Sequence, residues 1–315
     1  MPCEEICDRR DANNPAGQGA ESLPSFSAKR PRFTWPQQPV IRDWKDRLFL
    51  RGFTLIKLLV VISIIALLLA ILLPALQRAK RQANAVACRS KLHQWGLVFS
   101  MYTTDNNGMF WHHTAPALEE WWYPTLQPWR YGKDLSFCPM AMKVNQDPKR
   151  RYYGLVCGSK FTAWDWKYWG LPSSARKPAR GSYCMNWWTA DLQNSDLADS
   201  TASQYWRTCL VGCSASVPVF LDCSWPETLP DDVEYPPEYE GEYGPYSWWM
   251  PDICINRHDG GINVLFMDWS VRKVGLKELW TLKWHREFDT VNPWTRAGGI
   301  QPTDWPEWMR KFKDY

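Results

Sequence analysis

One uninterrupted apolar run dominates the hydrophobic pattern of this chain. From Phe53 to Leu73 the sequence reads FTLIKLLVVISIIALLLAILL, 21 residues in which Lys57 carries the one charge. At 1.5 Å per residue such a helix would be about 31 Å long, which matches the roughly 30 Å of hydrocarbon in a bilayer. A secretory signal peptide has a shorter apolar region close to the start of the chain. The run therefore predicts one membrane-spanning helix.

After Pro74 the pattern changes to an amphipathic stripe with helical spacing. Six apolar residues recur at intervals of three or four: Ala85, Cys88, Leu92, Trp95, Phe99 and Tyr102. This period indicates a helix that continues from the apolar run and presents one face to a folded head. The sequence at 105–108, DNNG, is turn chemistry that ends it. We therefore predict a single transmembrane and amphipathic helix over residues 53–104.

The segments on either side of this helix differ in character. Residues 1–52 hold six prolines, few aliphatic side chains and charges of both signs, which predicts a disordered leader. Residues 105–315 show short strand patterns separated by proline and glycine, with the clearest pair at 262–268 and 271–274 around a Trp269-Ser270 turn. The predicted fold class is α+β, one long N-terminal helix packed on a loop-rich antiparallel β head.

Composition narrows the function classes. The chain has 315 residues, 45% hydrophobic and 22% charged, so it can bury a core. Its net charge of +4 comes without a clustered basic block, which argues against nucleic acid as a partner. There are 22 tryptophans against 18 glycines. We expect some of them to lie at a surface, a groove or a membrane boundary rather than in the core.

The start of the apolar run resembles a known processing signal. Residues 51–62, RGFTLIKLLVVI, are similar to the class III signal of type IV prepilins and type II secretion pseudopilins. The resemblance implies that a prepilin peptidase cleaves after Gly52 and methylates Phe53. It also implies a cytoplasmic leader, a single helix in a bacterial inner membrane, and a head in the periplasm or at the cell surface. Pro74 falls where members of this family often carry a helix-kinking proline.

Lys57 departs from the pattern of that family. Its members typically carry glutamate at the fifth residue after the cut, where the carboxylate meets the N-terminal ammonium of a neighbouring subunit. A lysine there loses this pairing and repels another cation in apolar surroundings. It lies one turn inside the membrane, so it can reach the headgroups and still insert. We expect a minor or non-polymerising subunit rather than a major pilin.

The predicted hairpin of the head carries a second resemblance. His258, nine further residues and Asp268 are similar to the C-terminal motif of pilin-like proteins abundant in planctomycetes, although Trp269 replaces the usual glycine. An imidazole and a carboxylate could bind a metal or perform acid–base chemistry. Seven extended residues span roughly 23 Å and would hold the two far apart, so we favour a structural hydrogen-bonding role. No nucleophile elbow, P-loop, HExxH or GxGxxG motif appears, and nothing nominates an enzyme.

The cysteines allow two interpretations. Outside the cytoplasm, eight of the ten can form disulfides in many connectivities: Cys88, Cys138, Cys157, Cys184, Cys209, Cys213, Cys223 and Cys254. The alternative is a zinc site prompted by the Cys209-x3-Cys213 spacing, which lacks a second close Cys/His pair.

An acidic and aromatic region lies between residues 225 and 252. Its carboxylates, with Asp231, Asp232 and Glu234 closest together, could bind calcium. Trp248 and Trp249 could stack on sugars or on a protein partner. The plainer interpretation is a solvated acidic loop whose aromatic residues cover the head, with no cofactor bound.

Three functions remain open from the sequence. The first is a pseudopilin-like structural or assembly component, whose partners are the membrane, a prepilin peptidase, other pilin-like subunits and secreted cargo. The second is a membrane-tethered module that binds polysaccharide or protein and uses the prepilin signal for delivery. The third is a surface hydrolase.

Overall fold

The computed structural model describes residues 55–112, 122, 126, 133–152, 155–166, 179–192, 200–243 and 249–315. The predicted leader and the Gly52–Phe53 junction lie outside the described residues. The chain divides into two compact units, Met1–Ile62 and Ser63–Tyr315.

Helix α1 runs from Leu55 to Asp105 and contains Pro74, against the predicted range 53–104. Its apolar part has a mean hydropathy of 3.1, and its length and composition are sufficient to cross a membrane. Every side chain from Leu55 to Ala83 is exposed. An apolar surface of this extent is what lipid would cover.

The second part of α1 packs on the head through the predicted stripe. Cys88, Leu92, Trp95 and Phe99 are buried, whereas the ends of the stripe are half-buried. Gly96 is also buried, and a methyl group there would lie 3.0 Å from the Leu265 side chain. This glycine therefore allows a close approach between α1 and the sheet, in addition to weakening the helix.

Among the described residues, the head contains short strands and the α-helix α2 (Met250–Ile253). The strands among the described residues are β1 (Lys143–Val144), β2 (Arg151–Tyr152), β3 (Leu155–Val156), β4 (Thr162–Trp166), β5 (Ala179–Gly181), β6 (Tyr183–Asn186), β7 (Pro218–Asp222), β8 (Glu227–Thr228), β9 (Gly261–Phe266) and β10 (Val271–Gly275).

These strands form two five-stranded sheets. In the first, β4 pairs with β1, β3 and β5, and β2 pairs with β3. The second has the order β10-β9-β7-β6-β8. The β1–β4 and β6–β8 pairs are parallel and the other pairs are antiparallel. The fold is α+β, with one long helix and a head of mixed sheets, which is consistent with a pilin-like protein.

The predicted hairpin is present as β9 and β10, but its turn differs from the prediction. Phe266 N–H donates to Ser270 O (2.9 Å), so the loop between them has three residues and includes Trp269 at φ 66°. A three-residue hairpin loop usually ends in this left-handed conformation, which favours glycine. The Trp269 ring compensates by stacking on Phe99, with centroids 6.4 Å apart.

Most of the described tryptophans contribute to the core. Eleven are buried and the other five are half-buried; one of these five, Trp294, lines a surface cleft, as the expectation of a groove position requires. Several indole N–H groups donate to loop carbonyls, such as Trp188 to Pro230 (3.0 Å) and Trp280 to Glu234 (2.9 Å). The indole rings thus bury apolar area while their N–H groups fix loops that have few ladder hydrogen bonds.

Candidate functional site

Four buried polar side chains meet where α1 packs on the second sheet. Cys88 comes from α1, Cys138 from the loop after the 3₁₀ turn Lys133–Ser136, Asp222 from the end of β7, and His258 from the loop before β9. One donor atom from each lies within 4.8 Å of the others. We call these four residues the Cys-Asp-His cluster.

Two contacts within the cluster meet at one imidazole nitrogen, and two others meet at the Asp222 carboxylate. His258 Nε2 lies 3.1 Å from Asp222 Oδ2 and 3.4 Å from Cys138 Sγ. Cys88 Sγ lies 3.6 and 3.7 Å from the two Asp222 carboxylate oxygens. In a nucleophilic triad the imidazole uses opposite nitrogens for the nucleophile and the acid. Here one nitrogen faces both groups, and all four side chains are buried, so the arrangement is not that of an accessible triad.

A surrounding set of donors holds the cluster in place. Arg257 Nη1 donates to Asp222 Oδ1 (3.0 Å), and the backbone N–H of Asn263 donates to Asp222 Oδ2 (2.9 Å). Tyr183 Oη donates to Cys88 Sγ (3.3 Å). These bonds orient the carboxylate and one thiol from outside the cluster, as outer partners do in metal and catalytic sites.

Arg257 is itself fixed by backbone carbonyls. Its side chain is fully buried and donates to the carbonyls of Ser182 (2.5 Å), Ser159 (2.8 Å), Lys160 (3.0 Å) and Cys223 (3.1 Å). A buried guanidinium with this number of acceptors is satisfied, so it supplies a fixed positive charge beside the cluster.

Burial and mutual charge set the protonation states of the cluster. Burial lowers the pKa of His258, but the Asp222 carboxylate raises it to about 9. Burial raises the pKa of Asp222, and the charges of His258 and Arg257 outweigh it and hold the pKa well below its usual range. Burial also raises the pKa of Cys138, yet hydrogen bonds from Cys88 and His258 lower it to about 7. Burial and the contact with Cys138 raise the pKa of Cys88.

The structure separates the two residues of the predicted C-terminal motif. His258 is buried in the cluster, whereas Asp268 is exposed in the β9–β10 turn and accepts hydrogen bonds from Ser270 N (2.9 Å) and Oγ (2.6 Å). They therefore do not form a metal or acid–base pair with each other. Asp222 is the carboxylate that His258 meets instead.

The structure supports neither the disulfides nor the Cys209–Cys213 zinc site that the sequence suggested. All eight described cysteines are free thiols, so the expected disulfides have no counterpart among the described residues. Cys213 is exposed and Cys209 is half-buried, and neither is in a group of metal-binding donors among the described residues. The zinc interpretation of the Cys209-x3-Cys213 spacing is therefore not supported. The cysteines that do lie in a group of possible metal donors are Cys88 and Cys138.

The acidic region is partly described. Glu234 is turned inward, where Oε2 accepts the backbone N–H groups of Trp249 and Met250 (2.6 Å each) and caps α2. Asp231 and Asp232 lie instead within 4.8 Å of His285. Calcium binding by the three carboxylates stays a prediction, with Glu234 already engaged by amides.

The other residues predicted to contact a ligand, the membrane or a peptidase lie in different environments. Trp249 is half-buried and packs against the core, whereas Trp248 lies outside the described residues. Lys57 and Pro74 lie on the exposed apolar part of α1. The cleavage and methylation positions Gly52 and Phe53 are outside the described residues.

A cleft of about 450 Å³ opens in the acidic and aromatic region. Its lining combines aromatic rings, prolines and carboxylates: Tyr235, Pro236, Pro237, Glu238, Glu242, Tyr243, Pro251, Trp294, Asp304 and Pro306. Tyr235 is 60% exposed, and its ring lies 5.7 Å from that of Trp294. Exposed ring faces beside carboxylates are suited to a sugar or another polar ligand with an apolar face.

Comparison with known proteins gives one short similarity. Over 57 residues the chain is 46% identical to the type IV wide pilus major component PilA4 of Thermus thermophilus. The match covers 18% of this chain and 44% of that protein, so the chain spans less than half of its relative. No family profile and no solved structure matches the chain. The similarity and the long apolar helix support a pilin-like, membrane-anchored protein.

Proposed function

We propose that this chain is a pseudopilin-like structural or assembly component of a type II secretion or type IV pilus-like system. The observation that carries the proposal is the similarity to a type IV pilin combined with the exposed apolar part of α1. The helix anchors the subunit in the bacterial inner membrane, and the head lies in the periplasm or at the cell surface. A prepilin peptidase removes the leader between Gly52 and Phe53 and methylates Phe53.

The function is non-enzymatic in this proposal. Packing of the stripe on the head fixes the head relative to the amphipathic part of α1, so helix–helix contacts between subunits would position the heads. The heads then contact other pilin-like subunits or secreted cargo. Lys57 lies on the exposed apolar surface that would face neighbouring subunits. Its charge disfavours close helix packing, which supports a minor or non-polymerising subunit.

Fractionation of cells that assemble type IV filaments tests this role. The wild-type chain is expected mainly in the membrane fraction and only in small amounts in sheared filaments. The K57E variant should move toward the filament fraction, because a carboxylate restores the partner for a neighbouring N-terminal ammonium. The K57R variant keeps the cation and serves as the matched control. A wild-type chain in the soluble fraction, or equal filament shares for K57E and K57R, would contradict the proposal.

The cleft favours a second candidate, a membrane-tethered module that binds polysaccharide. The full-length chain in detergent, applied to a glycan array, should bind at least one neutral glycan or one whose charge is compatible with the carboxylates of the cleft. The Y235A variant removes a ring from the cleft and should abolish that binding. Y239A is the control, because Tyr239 is equally exposed at 60% but does not line the cleft. Absence of binding to every glycan would remove this candidate and leave the first unaffected.

A further inference from the structure

We propose that the Cys-Asp-His cluster is a structural zinc site that joins the anchor helix to the head. Its ligands are Cys88 Sγ, Cys138 Sγ, one carboxylate oxygen of Asp222 and Nε2 of His258. The proposal rests on donor chemistry, spacing, charge and burial, and it is independent of the pilin-like function.

The donor set has the composition that zinc prefers. Zinc is bound in proteins by thiolate, imidazole and carboxylate ligands, and its structural sites are closed and four-coordinate. Calcium and magnesium require mainly oxygen ligands, so two thiols argue against both ions. The four donors come from α1, a loop, β7 and a second loop, and all four residues are at most 5% exposed. Such a site is closed to solvent, which indicates a structural rather than a catalytic ion.

The spacing of the donors fits a tetrahedron. Zinc bonds of about 2.3 Å to sulfur and about 2.0–2.2 Å to nitrogen or oxygen give ligand–ligand edges of about 3.3–3.8 Å. In the structure the distances are 3.1 Å from His258 to Asp222, 3.4 Å from Cys138 to His258, and 3.6 Å from Cys88 to Asp222. The remaining pairs lie within 4.8 Å. Small side-chain movements therefore bring the set to coordination distance.

The charges also balance around an ion. Two thiolates and one carboxylate carry three negative charges, and Zn²⁺ together with the buried Arg257 carries three positive charges. With a neutral imidazole the formal sum is zero, so the loaded site would bury no net charge. Arg257, Asn263 and Tyr183 already supply the outer hydrogen bonds that orient ligands in zinc sites.

The position of the cluster gives the ion a mechanical role. Cys88 and Asp222 are 134 residues apart, and Cys138 and His258 are 120 residues apart. Zinc would tie these distant segments together, with Cys88 as the ligand on α1. Because an unfolded chain does not hold the four donors together, binding free energy contributes to folding. A force transmitted along α1 would then pass to the head through the zinc ion as well as through the side-chain packing.

The test uses the full-length chain, purified in detergent under reducing conditions, with zinc as the probe. Elemental analysis should find about one zinc per chain, and removal by a chelator should lower the melting temperature until zinc is added back. The C138S variant should lose the zinc. C254S is the matched control, because Cys254 is buried outside the cluster and its substitution also buries a hydroxyl.

Cobalt substitution keeps the proposal testable if C138S does not fold. Wild-type protein loaded with Co²⁺ should show thiolate-to-cobalt charge transfer and the intense visible bands of a tetrahedral site. Three results would each overturn the proposal: no zinc or cobalt bound above background, undiminished zinc in folded C138S, or a Cys88–Cys138 disulfide in peptide mass spectra of unreduced protein.

Discussion

Replacement of Phe99 by alanine is expected to destabilise the head strongly, because this residue joins α1 to the sheet. Phe99 is fully buried. Its ring centroid lies 5.5 Å from that of Phe220 in β7, 5.9 Å from Trp95, and 6.4 Å from Trp269 in the hairpin turn. The alanine variant leaves a cavity where the helix, the sheet and the turn meet.

The expected magnitude follows from burial. Truncation of a buried phenylalanine to alanine typically costs about 3–5 kcal/mol, including the cavity. Because domains are stable by only about 5–15 kcal/mol, F99A should lower the urea midpoint substantially. F99L keeps most of the apolar volume and should cost less than F99A. L97A is the matched control, since Leu97 lies two residues away on α1 and is 65% exposed; it should change stability by less than about 0.5 kcal/mol.

Urea unfolding of the full-length protein in detergent, followed by tryptophan fluorescence, measures these differences without removing a fluorophore. The order of midpoints should be wild type and L97A, then F99L, then F99A. Equal midpoints for F99A and L97A would refute the reasoning, because they would mean that this part of α1 does not pack on the head.

Three further changes test particular contacts. Gly96→Val should lower the unfolding free energy by about 1–3 kcal/mol through overpacking against Leu265, while Gly96→Ala should stay near neutral because better helix propensity offsets a tight contact. Trp269→Gly should relieve about 1 kcal/mol of left-handed strain but lose more from ring packing, for a net fall in melting temperature. Burial raises the pKa of Asp252, which accepts from Ser224 Oγ, to about 7. The unfolded chain therefore binds fewer protons than the folded one between about pH 4 and 7, and wild-type stability falls as pH rises across that window. Asp252→Asn should remove this slope, so its advantage in urea midpoint over wild type should grow from pH 4 to pH 8; an advantage that is independent of pH would contradict it.

The elements that the sequence predicts well are those with a local period. The stripe through Leu92 and Phe99 repeats at helical spacing, so both the existence of α1 and its buried face follow from neighbouring residues. The β9–β10 hairpin follows in the same way from its alternating apolar positions. The turn of this hairpin cannot be predicted from neighbouring residues. The left-handed backbone conformation of Trp269, which favours glycine, depends on packing of the indole ring against α1.

The Cys-Asp-His cluster could not be predicted from local pattern. Its four residues are separated by up to 170 positions, and register between β7 and β9 decides that Asp222 rather than Asp268 reaches His258. One signal was present: Cys88 occupies a core position of the α1 stripe, which places a thiol at the helix–head interface. The tryptophans show the same limit, since a high count gives no information about which rings turn inward.

The mass of the mature protein, isolated from membranes, tests the central claim most directly. The account predicts a chain that begins at Phe53 and carries one additional methyl group at its N-terminus. Recovery of the chain with residues 1–52 still attached, in membranes or in the soluble fraction, would contradict processing by a prepilin peptidase.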